Sequence, residues 1–252
     1  MATALDTYPE PNSRRTRGFR ERHPADAYFF PGLVAAIWAM MLAGFVPEVI
    51  ARAAGNAPPY PLIIHVHAVV FFGWLVFLAS QVTLIQTGNV RWHRKFGLVG
   101  LALALAIAVV GPAAALTMQM AHVARQPPQF LAVQFLNIAT FLGLFSAGLA
   151  LRRHPAAHKR LMMIATLALA GAGFGRIIRL VTGDAPPFTI IPGVYFGGDL
   201  LILSIAIYDW VTRGRLHPVF LPAAGASIAV QLVAGYLLHA PAWIMFTRGL
   251  VS

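Results

Sequence analysis

The sequence predicts an all-α fold, a polytopic membrane helix bundle with about seven transmembrane helices. Three observations carry this reading. Mean hydropathy is +0.71. Charged residues occupy only 11 % of the 252 positions. Seven apolar runs of about twenty residues, each long enough to cross a bilayer, are separated by proline-rich or basic breaks.

The runs cover 28–47, 61–86, 96–120, 129–151, 160–181, 194–212 and 219–240. The breaks are Pro58-Pro59, Arg91 to Lys95, Pro127-Pro128, Arg152 to Lys159, Pro186-Pro187 and Arg213 to Pro218. Residues 1–27 carry Arg14, Arg15, Arg17, Arg20 and Arg22 and read as a disordered basic tail that meets anionic headgroups. The apolar run that follows is too long for the core of a cleaved leader, so it is an uncleaved first span. Residues 28–252 form a single transmembrane domain, and the stretch from His239 onward is interfacial, with Trp243 and Phe246 as anchors.

The net charge of +11 has a topological meaning here. The tail arginines, Arg91, Arg94, Lys95, Arg152, Arg153, Lys159, Arg160, Arg213 and Arg215 all fall at one end of the spans. Positive charge stays on the cytoplasmic side, so the N-terminus is expected in the cytoplasm. Basic residues dispersed in this way argue against nucleic-acid binding. There is no cysteine, which excludes thiolate metal sites and cysteine nucleophiles within these residues. Walker, dinucleotide and G-x-S-x-G signatures are absent as well.

Two hairpins echo each other. Trp92-His93-Arg94-Lys95-Phe96-Gly97 opens the third span, and Ala157-His158-Lys159-Arg160-Leu161-Met162 opens the fifth, each followed by an Ala/Leu-rich run. Either the hairpins are duplicated, as in parallel-repeat membrane proteins, or basic loops before Ala/Leu helices look alike by composition. The element around His158, with Arg176 near the far end of the same helix, an early histidine in the second span, and His93-Arg94 with Gly97, resembles an uncharacterised bacterial multi-pass membrane protein family. That resemblance covers about half the chain (spans two to five). It implies an integral protein of the bacterial inner membrane, distantly like haem-handling or respiratory-assembly proteins.

Polar residues inside the spans mark the candidate site, because ionisable groups in hydrocarbon are costly and by default functional. His67, Gln134, Asn137, Arg176, Arg179, Asp199 and His239 lie in five spans, toward the end opposite the N-terminus. His67 shares a helical stripe with Phe71, Trp74, Leu78 and Gln81, so it is expected to face inward and His65 outward. Tyr195 and Asp199 share a face, as do Ser227 and Gln231. The run of small residues from Ala168 to Gly175 makes the fifth span central. Arg176 is expected to pair with Asp199, and Asp209 to form a surface pair near Arg213 and Arg215.

Three functions compete. In the first, a b-type haem or a quinone binds, with His67 and His239 or His122 as axial ligands and Arg176 and Arg179 on the propionates. In the second, His67, His239 and Asp199 hold the metal of a membrane hydrolase. In the third, a transporter, sensor or assembly factor holds a small anion or lipid headgroup through Arg176, Arg179 and Tyr195. His93, His154 and His158 read as headgroup contacts, and a metal at the His154/His158 spacing is disfavoured by Pro155. The sequence alone leaves open whether the protein is an enzyme.

Overall fold

The computed structural model describes residues 19–55, 59–121, 127–183 and 190–251, with side chains from 193 in the last of these stretches. Among the described residues eight α-helices follow one another: α1 (Asp26–Ala53), α2 (Leu62–Gln86), α3 (Val90–Ala121), α4 (Leu131–Ala150), α5 (Pro155–Thr182), α6 (Ile190–Arg213), α7 (Phe220–Leu237) and α8 (Pro241–Val251). A short 3-10 turn, Pro128–Phe130, leads into α4. The first seven helices are long and apolar enough to span a membrane, so the chain is a polytopic bundle in contact with lipid. Among the described residues all regular structure is helical, as a chain in hydrocarbon requires, because each helix satisfies its own backbone.

Most helices outrun their apolar runs. α3 begins at Val90 and α5 at Pro155, so the basic residues at both entrances are helical. α1 continues through Pro47 to Ala53 instead of stopping at 47. A proline removes only its own N–H, and neighbouring helices make such a break tolerable in membrane spans. The extension carries Glu48 into the bundle.

α5 is the hub, packed against α4, α6, α1 and α7, as its small residues predict. A Cβ on Gly44 of α1 would lie 2.2 Å from the Gly173 carbonyl oxygen, and one on Gly171 would lie 2.9 Å from that of Val194 in α6. Both crossings therefore depend on glycine. The core runs through Ile37, Trp74, Ile107, Phe141, Ile164 and Ile205, and the Trp74 indole donates to the Thr166 hydroxyl at 3.2 Å, tying α2 to α5. The expected α2 stripe faces inward: Trp74, Leu78 and Gln81 are buried, His67 is half-buried and His65 is exposed. α8 is too short to span; its Trp243 donates to the Gln129 carbonyl at 3.0 Å while Met245 and Phe246 stay exposed.

Residues 19–25, read from the sequence as part of a disordered tail, make specific contacts with the bundle. The Glu21 carboxylate accepts from the Ala156 amide at 2.9 Å, capping the first turn of α5. Phe19 packs edge-on against His217, with ring centres 4.5 Å apart.

Candidate functional site

The polar residues gather in three places, not one. At the end opposite the N-terminus, the Arg176 Nε donates to Glu48 at 2.8 Å, and its guanidinium lies 4.0 Å from the centre of the Phe45 ring. The Tyr60 hydroxyl donates to the same carboxylate, and Arg52 reaches it at 3.4 Å while stacking on Tyr60. Tyr60 lies between the spans; burial and the Glu48 carboxylate push its phenol pKa up. The expected Arg176–Asp199 pair is therefore corrected: Arg176 pairs with Glu48. The apolar run of the first span ends at Pro47, which places Glu48 outside it and leaves Asp199 as the carboxylate inside an outer-half span, whereas α1 continues through Pro47 to Ala53. His67 stands close enough to feel the charge of Arg176 and stacks on Phe71, with ring centres 4.0 Å apart. Its Nδ1 is buried without a hydrogen-bond partner.

The second place is a cavity of about 20 Å³ lined by α4, α5, α6 and α7. That is room for about one water. Asn137, Tyr195, Asp199, Ser227 and Gln231 give it a polar wall, and Ala168 and Gly171 of α5 leave the space. The Tyr195 hydroxyl donates to the Asn137 side-chain oxygen at 2.9 Å. The Gln231 amide donates to Asp199 at 2.8 Å. Ser227 donates to the Ala223 carbonyl, so its oxygen still has acceptor capacity toward the cavity. Among the described residues no basic side chain forms an ion pair with Asp199, although it lies roughly 14 Å along α6 from Ile190 and roughly 21 Å from Arg213 at 1.5 Å per residue.

The third place was not read from the sequence. Arg160 and Asp209, both 0 % exposed, form a two-point pair at the N-terminal end: Nε donates to Oδ2 at 2.8 Å and a terminal nitrogen to Oδ1. Asp209 is therefore not the expected surface residue. Arg213 reaches it at 3.7 Å and also bonds Asp26, which accepts from Lys159 at 2.7 Å and from the Tyr208 hydroxyl. His217, in the α6–α7 loop, donates its backbone N–H to Asp209 at 3.3 Å. Burial and the Arg160 charge hold its imidazole pKa down at about 4. The signal was present: Ile202, Ile205 and Asp209 follow the spacing of a buried stripe, as do Arg160, Ile164 and Leu167. Two carboxylates beside three cations make this a structural lock.

The remaining candidates do not converge. Gln134 is half-buried, and its side-chain oxygen has no partner. Arg179 is exposed, and His239 is exposed in the α7–α8 turn. His122 lies outside the described residues. A haem held by His67 and His239 does not fit this packing. α2 packs on α3 and α1, α7 packs on α4, α5 and α6, and Arg176 is already held by Glu48. Nor do His67, His239 and Asp199 assemble; among the described residues no three histidine or acidic side chains gather as a metal site.

The fold defines a class, the polytopic α-helical membrane proteins. No family model, curated protein or solved structure matches the chain.

Proposed function

We propose that the protein is a non-enzymatic membrane carrier or sensor whose pocket takes up a proton or a small monovalent cation at Asp199. The observation that carries this reading is Asp199 itself, a carboxylate well inside a span, bonded by a neutral amide and without a basic partner among the described residues. A lone negative charge at that depth costs several kcal/mol, and a proton or a cation removes the cost. Tyr195, Asn137 and Ser227 supply oxygen atoms around a space the size of one water or one ion. The anion reading of the sequence rests on Arg176 as a free cation; Arg176 instead meets Glu48, whereas Asp199, among the described residues, meets only a neutral amide. Positive-inside bias sets the N-terminal end in the cytoplasm in this reading, so the pocket is nearer the outer face.

The test is difference infrared spectroscopy on the full chain in liposomes, stepped between neutral and alkaline pH with and without sodium or potassium ions. A carboxylic C=O band that vanishes with pH or with the ion, and is missing in Asp199→Asn, is the expected result. Identical difference spectra for wild type and Asp199→Asn under all these conditions would remove the proposal.

A further inference from the structure

Two histidines that the proposed function does not use stand side by side at the N-terminal end of the bundle. His93 is in the first turn of α3 and His158 in the first turn of α5. Their ring centres are 6.2 Å apart and the planes are nearly perpendicular, at 85°. Each ring is anchored by the helix that precedes it in its own hairpin. His158 Nδ1 lies 2.8 Å from the Gly148 carbonyl of α4. A carbonyl only accepts, so Nδ1 carries the proton and Nε2 keeps a bare lone pair. The ring of His93 meets the backbone of Gln81 in α2, while its Nδ1 is buried and has no partner. Backbone anchoring of one ring nitrogen is how proteins orient imidazole ligands with the other nitrogen free.

We propose that His93 and His158 together bind a cuprous ion. Two imidazoles bound to one ion through bonds of about 2 Å have ring centres about 6 Å apart when the ion lies between them, and the observed separation meets that requirement. The donor set is two neutral nitrogens with no carboxylate, beside Arg94 and Lys95 of the same turn of α3, while Lys159 and Arg160 are held by Asp26 and Asp209. Positive surroundings and neutral donors favour a singly charged ion over a divalent one. Imidazole suits copper, and the Met162 thioether, packed on the same Gly148 that anchors His158, adds a soft neighbour. The hairpin echo gains a physical content here: the corresponding histidines of the two hairpins become the two halves of one site.

The experiment uses the full chain in detergent, stripped with a chelator and titrated anaerobically with Cu⁺ against a chromophoric Cu⁺ chelator, with Zn²⁺ titrated in parallel. We expect one Cu⁺ held per chain, and a loss of affinity of about tenfold or more in His93→Ala and in His158→Ala. His154→Ala, at an exposed histidine on the same face, leaves affinity unchanged. Copper-edge absorption reports two nitrogen neighbours in the wild type and one fewer in each variant. If the alanine variants do not elute as folded protein, His93→Gln and His158→Gln replace them. No withdrawal of Cu⁺ from the chelator, equal affinity in folded His93 or His158 variants, tighter Zn²⁺ binding, or a haem Soret band that depends on these two histidines would each overturn the assignment.

Discussion

Glu48 of α1 and Arg176 of α5 meet at 2.8 Å across the bundle, the carboxylate from a helical turn that follows a proline and the guanidinium from the far end of the hub helix. The contact lies about one turn beyond the Gly44–Gly173 approach on the same two helices, and it commits Arg176 to a carboxylate within the bundle.

Glu48→Gln removes the charge and leaves Arg176 uncompensated. The two side chains remain 33 % and 27 % exposed, so a loss of about 1–2 kcal/mol is expected, well short of a fully buried pair. Thermal unfolding in detergent measures it. A double-mutant cycle with Arg176→Gln gives a coupling near zero if the contact is only geometric.

Arg160 and Asp209 are fully enclosed, and their separation should be far more damaging. Asp209→Asn is expected to destabilise by about 3–5 kcal/mol, because a buried guanidinium is left without its counter-charge. The paired replacement Arg160→Met with Asp209→Leu should be more stable than Asp209→Asn alone. Comparing melting midpoints of the three variants decides between a charge lock and simple space filling.

His217 links the same end of the bundle to pH. Its folded pKa of about 4 lies below the ordinary 6.5. The unfolded chain therefore binds the extra proton first, and stability declines as pH falls from about 6.5 toward about 4. Above that window the imidazole is neutral in both states and contributes no slope. His217→Gln should flatten the decline in melting temperature across this window; an unchanged slope would assign it to other groups.

The α1–α5 crossing has no room for a methyl group. Gly44→Ala would place its Cβ against the Gly173 carbonyl, forcing the helices apart at a cost of about 1–3 kcal/mol. Gly143→Ala, where a Cβ meets open space, is the matched control on a neighbouring helix. Equal melting temperatures for the two variants would argue against a tight crossing.

Orientation is open to direct measurement because the chain has no cysteine of its own. In cells, Asn89→Cys at the α2–α3 turn should resist a membrane-impermeant thiol reagent, and Ala242→Cys at the start of α8 should react. Both positions are exposed. The opposite labelling pattern would invert the topology inferred from the basic loops.

Much of the architecture was legible in the linear pattern, and particular elements show why. The α2 reading of 61–86 matches Leu62–Gln86, and the inward stripe from His67 to Gln81 came from helical spacing alone. Hydropathy misjudged the entrances of α3 and α5 because it reports where the side chains turn basic, whereas the helix continues for the sake of its backbone hydrogen bonds. The centrality of α5 followed from its small residues.

The partners of the charged residues were not legible. Length, apolar spacing and the placement of basic residues determined by themselves that this chain forms a bundle of seven membrane helices. Only the tertiary structure decided that Arg176 meets Glu48, that Asp209 is enclosed by Arg160, and that Asp199 is left with Gln231. Periodicity reports which face of a helix turns inward. Which residue on another helix it meets there depends on crossing angle, axial offset and the close approaches that glycines permit, none of which a one-dimensional pattern encodes.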